Sequence, residues 1–313
     1  MTTLERYRGC LLGLATGDAL GTTLEFKWPG NFKPLTDMIG GGPFNLNPGE
    51  WTDDTSMALC LAESLVVKRG FDPVHQLETY LRWYHDGHLS VKGRCFDIGI
   101  ATRAALGRFQ ATRDPFCGDP SPRAAGNGSL MRLAPAPLAF ANDPAEAIRL
   151  AGESSRTTHA ALECIDACRY FAGLLLAAIN GLAKDELLRN AYEPAARSFA
   201  EMPLAEKVQA IAKGSFREKQ PPEIRGSGYV IHTLEAALWA FHSTDSFRAG
   251  ALAVVNLGED ADTTGAVFGQ IAGAYYGVDG IPAEWREKLA MRDLIDQRAR
   301  ELYALAFPSE PGA

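Results

Sequence analysis

Residues 9–21 read GCLLGLATGDALG, with a glycine at every fourth position. The same spacing returns near the other end of the chain, where residues 265–277 read GAVFGQIAGAYYG. Because residues four apart share one face of an α-helix, each stretch predicts a helix with a smooth stripe. Glycine destabilises a helix interior by about 1 kcal/mol per site relative to alanine. The spacing therefore predicts two central helices whose backbones pack very closely, with each other as one candidate pairing.

Helical periodicity continues along most of the chain. No segment shows sustained strict alternation with β-branched residues, so no strand is predicted. Glycine and proline collect instead in loops at residues 29–48, 114–128 and 219–228. The pattern predicts an all-α fold in a single compact domain over residues 1–313. The predicted helices cover residues 4–20, 52–69, 73–84, 97–109, 144–151, 159–182, 204–212, 229–241, 246–257, 263–276 and 292–305.

Composition excludes several classes of protein. The chain of 313 residues carries a net charge of −7 and has no basic tract, which speaks against general nucleic-acid binding. Its apolar stretches at residues 10–15 and 170–179 are too short to cross a membrane, and the first does not resemble a signal peptide. Six cysteines occur without a CxxC pair. They predict reduced thiols in a cytoplasmic protein.

Two acidic clusters mirror each other across the chain, at residues 52–54 (TDD) and 260–263 (DADT). Each offers two carboxylates and a hydroxyl at the start of a predicted helix, and such hard oxygen ligands suit Mg²⁺ or Mn²⁺. Either cluster alone also fits a helix N-cap with acids near the positive end of the helix dipole. A second aspartate beside the first is not needed for capping, because the two carboxylates repel. Finding this excess twice favours ion binding, provided that the fold brings the clusters together.

Further motifs follow one another along the chain, beginning with residues 13–21 (GLATGDALG) and Glu25 and continuing with five more. Together they resemble the ADP-ribosylglycohydrolase family, which includes the dinitrogen-reductase-activating glycohydrolase and the ADP-ribosylarginine hydrolases. The resemblance spans most of the chain and implies an orthogonal multi-helix fold. It also implies a hydrolase with two divalent metal ions, Mg²⁺ or Mn²⁺, that cleaves the N- or O-glycosidic bond between ADP-ribose and an acceptor. The motifs after Glu25 are residues 51–55 (WTDDT), 96–99 (FDIG), 126–132 (GNGSLMR), 158–159 (TH) and 258–265 (GEDADTTG).

The resemblance also implies roles for individual residues. The implied metal ligands are Thr52, Asp53, Asp54, Asp260, Asp262 and Thr263. The implied catalytic residues are Glu25, Asp54, Asp97 and Asp262. The implied substrate-binding residues are Phe96, Asp97, Gly99, Gly126, Asn127, Gly128, Ser129, Met131 and His159. Glu259 stands where family members often have a second glycine, and its carboxylate either tunes the metal site or faces solvent.

Several of these residues have an alternative interpretation. Glu25 matches an acid on a mobile loop near the metals, but it also fits a solvent-exposed side chain. Asp97 resembles a substrate-facing acid, but it also fits the N-cap of the helix predicted at residues 97–109. Residues 126–129 form either a pyrophosphate cradle or an ordinary loop, with Arg132 pairing with phosphate or supporting that loop. His159 is either a ligand contact or a structural histidine.

The function indicated is a metal-dependent hydrolase that reverses mono-ADP-ribosylation of proteins. Arginine is the preferred linkage because residues 96–99 most resemble the bacterial arginine-directed members, while serine and other linkages stay open. The expected partners are an ADP-ribosylated protein and ADP-ribose. The alternatives are a two-metal hydrolase of a free ADP-ribosyl or nucleotide molecule and a non-enzymatic structural relative. Intact acids in both clusters argue against the structural relative.

Overall fold

A computed structural model describes residues 1–308 as α-helices joined by loops and short 3₁₀ turns. Within those residues there is no strand, only isolated β-bridges, so the all-α prediction is confirmed. The α-helices in chain order are α1 Thr3–Gly21, α2 Asp53–Lys68, α3 Pro73–Asp86, α4 Ile100–Thr112, α5 Pro135–Ala139, α6 Pro144–Arg156, α7 Leu162–Ile179, α8 Lys184–Leu188, α9 Glu193–Glu201, α10 Glu206–Ala212, α11 Val230–Ser243, α12 Phe247–Val255, α13 Ala261–Tyr276, α14 Ala283–Lys288 and α15 Arg292–Ala306.

Helices α1 and α13 pack against each other along their glycine stripes. A Cβ atom added at Gly13 would lie 3.1 Å from the carbonyl carbon of Gly269 and closer still to its oxygen. At Gly9 the added atom would lie 2.6 Å from the carbonyl carbon of Gly277. Any side chain there would therefore collide with the backbone of the partner helix. The predicted close packing of the two glycine helices is confirmed, and the candidate pairing with each other is the one observed.

The other helices surround this pair and share one buried apolar cluster with it. Helix α7 packs against α6 and α13, and nearly all of its residues are buried. Large side chains from distant parts of the sequence fill the cluster, including Tyr7, Trp51, Trp83 and Trp285. Since α1 and α13 lie at the centre, residues at their ends are held by packing on several sides.

Some element boundaries differ from the prediction. The helix predicted at residues 97–109 begins at Ile100, with Gly99 as its N-cap, so Asp97 lies in the preceding loop and does not cap. The helix predicted from residue 159 begins at Leu162. Helices α5, α8, α9 and α14 were not predicted, because five to nine residues are too few to show a helical period. No helix within residues 1–308 is long and apolar enough to cross a membrane. All six cysteines are free thiols.

Candidate metal centre and substrate cleft

The two acidic clusters meet where α2 and α13 begin. The hydroxyl oxygen of Thr52 lies 3.3 Å from an Asp262 carboxylate oxygen, although 210 residues separate them in sequence. Carboxylate oxygens of Asp18, Asp54 and Asp262 all lie within 4.8 Å of one another. These three side chains are almost fully buried. The fold therefore assembles one compact group of oxygen ligands from α1, α2 and α13.

The capping interpretation of the clusters does not hold. Thr52 and Asp260 occupy the N-cap positions of α2 and α13, yet neither side chain makes a capping hydrogen bond. The Thr52 hydroxyl instead donates to Asp18 Oδ1 at 2.9 Å. Asp260 Oδ2 accepts a hydrogen bond from Asn127 Nδ2 at 2.6 Å. Both side chains are thus directed into the acidic group and away from the helix ends.

Asp18 has a supporting role that the sequence reasoning missed. Its Oδ1 accepts from the backbone N–H of Thr52 at 2.9 Å as well as from the Thr52 hydroxyl. Its Oδ2 accepts from the backbone N–H of Thr55 at 3.0 Å and from the Thr55 hydroxyl at 2.6 Å. These four bonds tie the first turn of α2 to α1. The available signal was a carboxylate inside an otherwise apolar, glycine-striped helix, where an unpaired charge would be strongly unfavourable.

Within residues 1–308, three buried carboxylate oxygens have no hydrogen-bond partner: Glu25 Oε2, Asp54 Oδ1 and Asp262 Oδ1. Burying an unpaired carboxylate is costly, and a bound cation removes that penalty. Because the Thr52 proton is used on Asp18, the remaining lone pairs of its oxygen face Asp54 and Asp262 at 3.3 Å each. An arrangement of oxygens alone, turned toward one another, fits hard divalent cations. The residues present are therefore suited to holding such ions.

Burial and mutual repulsion dominate the electrostatics of the group. Burial and the neighbouring carboxylates raise the pKa values of Asp53, Asp54 and Asp262 well above the usual range. Burial, followed by the charges of Asp97 and Asp260, raises the pKa of Glu25 to about 9. The acids therefore resist carrying their full negative charge together unless positive charge is supplied.

Glu25 belongs to a second group of acids that shares Asp262 with the first. Carboxylate oxygens of Glu25, Asp97 and Asp262 lie within 4.8 Å of one another. Glu25 is only 4% exposed, so the alternative interpretation as a solvent-exposed side chain does not hold. The loop after it is tied to the segment before α13, because Phe26 N–H donates to Glu259 O at 2.6 Å. In return, Glu259 N–H donates to the carbonyl oxygen of Lys27 at 2.7 Å.

The Glu259 side chain resolves a question that the sequence left open. Its carboxylate forms a two-pronged ion pair with Arg225, at 2.9 and 3.2 Å, and is 13% exposed. It lies at the edge of the cleft next to Asp260. Because Arg225 neutralises it, Glu259 neither faces open solvent nor adds an unpaired charge to the acidic group.

A cleft of about 1050 Å³ opens from the acids, and residues 126–128 and His159 line it. A Cβ atom at Gly128 would lie 2.8 Å from Cε1 of His159, so only glycine allows the ring to pack against this loop. Asn127 Nδ2 bonds Thr233 Oγ1 at 2.9 Å in addition to Asp260, which joins the loop to the acidic group. Arg132 is 1% exposed and donates to the carbonyl oxygen of Gly128, so it supports the loop from beneath.

The remaining predicted residues divide between the cleft and its surroundings. Asp53, Asp97, Gly99, Met131 and Thr263 line the cleft. The ring of Phe96 packs edge-on against Phe44, with 5.3 Å between ring centroids, and the Ser129 hydroxyl is hydrogen-bonded to the Ser155 hydroxyl at 2.8 Å.

Prediction missed the apolar rim of the cleft. Phe26, Trp28 and Ile100 line the cleft while remaining 66%, 63% and 88% exposed. Large apolar side chains this exposed are a sign of a contact surface. The only available signal was the presence of two aromatic residues within three positions after Glu25.

The family model described as ADP-ribosylglycohydrolase matches residues 1–311, and the chain belongs to the ADP-ribosylglycohydrolase family. A relative from Pseudomonas putida named ADP-ribosylarginine hydrolase Tri1 is 45% identical, over 96% of this chain and 78% of the relative. The ADP-ribosyl-[dinitrogen reductase] glycohydrolase of Rhodospirillum rubrum is 33% identical, over 92% and 91% of the two chains. A solved structure titled ADP-ribosylglycohydrolase-related protein complex superposes with a TM-score of 0.85 at 46% identity, covering 97% of this chain and 99% of that one.

Proposed function

We propose that this protein removes ADP-ribose from arginine side chains of modified proteins by hydrolysing the N-glycosidic bond. The observation that carries the proposal is the convergence of Asp18, Asp54 and Asp262 at one end of a cleft of about 1050 Å³. A cleft of this size matches a ligand the size of ADP-ribose. The Pseudomonas putida relative, named as an ADP-ribosylarginine hydrolase, supports the arginine linkage.

We assign two divalent cations, Mg²⁺ or Mn²⁺, to the acidic group, with ligands from both clusters. The unpartnered oxygens of Asp54 and Asp262 support this assignment, and Asp18 holds the first turn of α2 in place. When bound, such ions act as Lewis acids toward the ribose hydroxyls and a water molecule. The proposed ligands are Thr52, Asp53, Asp54, Asp260, Asp262 and Thr263.

The remaining chemistry belongs to the side chains of the cleft. The loop at residues 126–129 and His159 would bind the diphosphate, which orients the distal ribose toward the acids. The carboxylates of Asp54 and Asp262 would stabilise the positive charge that develops on the ribose as the bond breaks. Glu25 is placed to give a proton to the departing guanidine nitrogen, because its Oε2 has no competing hydrogen bond. Asp97 lines the cleft with its carboxylate within 4.8 Å of those of Glu25 and Asp262, which favours an orienting role for it.

The decisive experiment supplies the protein with arginine-, serine- and cysteine-linked ADP-ribosyl proteins and measures released ADP-ribose by chromatography. We expect release from the arginine-linked substrate only, loss of release in EDTA, and recovery on addition of Mn²⁺. Asp262→Asn should lower the rate at least about 100-fold. The exposed Asp245→Asn serves as the control and should retain full activity. Cleavage of free ADP-ribosyl nucleotides alone, or no release in Mn²⁺, would contradict the proposal.

The free thiols bear on where the reaction takes place. All six cysteines are unpaired, and four of the five buried ones lie fully within the core. Persistent thiols are typical of a reducing compartment. We therefore assign the protein to the cytoplasm, where fractionation should find it together with its modified substrate.

A further inference from the structure

The cleft contains one imidazole whose hydrogen bonding is fixed by its neighbours. His159 is 3% exposed and lines the cleft. Its Nε2 edge faces the loop, since Cβ atoms added at Gly126 and Gly128 would lie 3.5 Å and 3.1 Å from that nitrogen. Its other ring nitrogen, Nδ1, lies 2.8 Å from the hydroxyl oxygen of Thr158. The state of the ring therefore depends on which partner donates in the bond with Thr158.

Arg132 helps to set the direction of that bond. Its Nη2 donates to Thr158 Oγ1 at 2.7 Å, and a guanidinium group can only donate. One lone pair of the Thr158 oxygen accepts from Arg132, and within residues 1–308 the hydroxyl has no hydrogen-bond acceptor other than Nδ1 of His159, so its proton is directed to that nitrogen. A neutral imidazole has one accepting and one donating nitrogen, so acceptance at Nδ1 leaves the ring proton on Nε2. Burial, followed by the Arg132 charge, lowers the pKa of His159 to about 3, which keeps the ring neutral.

Arg132 is held firmly enough to impose this order. Its guanidinium group lies over the ring of Tyr80, 4.9 Å from the centroid, and it is almost fully buried. The same group donates through Nη1 to the carbonyl oxygen of Gly128. One side chain thus fixes both the loop that lines the cleft and the threonine that orients the histidine.

We propose that Arg132 and Thr158 are positioning residues that hold His159 as a neutral Nε2–H donor for a diphosphate oxygen of the ADP-ribosyl group. The identity of the ligand rests on the proposed function. A hydrogen bond from a neutral N–H to an anionic oxygen is strong and geometrically defined. The opposite tautomer would turn a lone pair toward the phosphate and repel it. The two hydrogen bonds from Arg132 to Thr158 and from Thr158 to His159 form a relay. This relay selects the one ring state that attracts an anion.

The test measures ADP-ribose binding by calorimetry in matched variants. Thr158→Val should weaken binding about 10-fold, because Nδ1 loses its donor and the ring proton is no longer confined to Nε2. Thr158→Ser keeps the hydroxyl and should bind as the wild type does. Thr79→Val removes a buried hydroxyl that donates to the His75 carbonyl in α3 and does not line the cleft, so it should leave affinity unchanged.

A double-mutant comparison shows whether Thr158 acts through the imidazole. His159→Gln keeps an N–H donor near the Nε2 position but has no ring nitrogen to be ordered by Thr158. Adding Thr158→Val to His159→Gln should therefore have no further effect on affinity. An equal loss in both backgrounds would overturn the proposal, because Thr158 would then act only on the fold.

Nitrogen NMR of the ligand-free protein gives an independent readout, with the His159→Gln spectrum identifying the signal. We expect the wild-type ring proton on Nε2 and a mixture of tautomers in Thr158→Val. A proton on Nδ1 in the wild type would overturn the relay. Failure of the wild type to bind ADP-ribose would instead contradict the proposed function, while the tautomer measurement would still test the relay.

Discussion

The close contact between α1 and α13 predicts that replacing glycine by alanine has opposite effects on stability at two positions, Gly13 and Gly107. Gly13→Ala places a methyl group against the backbone of Gly269, with 3.1 Å to its carbonyl carbon and less to its oxygen. Backbone atoms cannot rotate away as a side chain does, so the helices must separate. Overpacking typically destabilises by about 1–3 kcal/mol, and the upper end applies here. Alanine returns about 1 kcal/mol of helix propensity, which leaves a net loss of about 2 kcal/mol.

Gly107→Ala is the matched control, because Gly107 is an exposed residue inside α4 with open space around it. The same change there should stabilise the protein by about 0.5–1 kcal/mol. For a chain of 313 residues, the entropy of unfolding is about 0.66 kcal/mol/K, so 1 kcal/mol corresponds to about 1.5 °C in Tm. We expect Tm to fall by about 3 °C for Gly13→Ala and to rise by about 1 °C for Gly107→Ala.

The assay is differential scanning calorimetry of both variants, supported by urea denaturation. A Gly13→Ala protein as stable as the wild type would show that the two backbones do not lie as close as described. A second pair ties the contact to the site. Gly17→Ala, next to Asp18, should weaken Mn²⁺ binding as well as stability. Gly9→Ala makes a similar collision about 12 Å from Gly17 along the helix and should affect stability alone.

Three further predictions concern single side chains. Asp18→Asn places an amide N–H₂ group opposite the N–H and O–H donors that now bond the Asp18 carboxylate. We expect the free energy of unfolding to fall by about 1–3 kcal/mol in urea denaturation, and Mn²⁺ binding to weaken in calorimetry. Unchanged values would contradict the anchoring role of Asp18. His159 stays neutral in the folded protein because burial lowers its pKa to about 3, whereas the unfolded chain takes up a proton below about pH 6.5. Folding therefore loses stability as the pH falls, by about 2 kcal/mol at pH 5, and His159→Gln should remove that part of the acid sensitivity in denaturation at pH 7 and pH 5. Trp28→Ala should lower kcat/KM for an arginine-linked protein about 3- to 30-fold, because a cation–π contact at the cleft rim is lost. The affinity for ADP-ribose should stay unchanged. Equal losses in kcat/KM and in ADP-ribose affinity would place Trp28 against the nucleotide instead.

Parts of this structure follow directly from local sequence pattern. Glycine at every fourth residue predicts a close helix pair, because no side chain separates the two backbones along that face. Each acidic cluster contains one carboxylate more than helix capping requires, and this predicts an ion site. The fold brings the two clusters together. Periodic apolar spacing predicts the long helices, because the period of a buried face becomes visible only over several turns.

Other parts depend on contacts that no local pattern contains. Asp18 reads as an interruption of an apolar stretch until the fold places Thr52 and Thr55 beside it, 34 and 37 residues away. Asp97 and Gly99 are both acceptable N-caps, and tertiary packing selects Gly99. The contact of Phe96 with substrate stays a prediction, and its ring packs on Phe44 from a distant loop.

The hydrogen bond between Asn127 and Asp260 gives the cleft a property that neither end would have alone. Asn127 belongs to the loop proposed for the diphosphate, and Asp260 to the group proposed for the cations. A ligand that orders Asn127 or Asp260 also restricts the other residue, so less entropy is lost when the second ligand binds. Nucleotide and cation should therefore each increase the affinity for the other. Thermodynamic reciprocity requires the two enhancement factors to be equal.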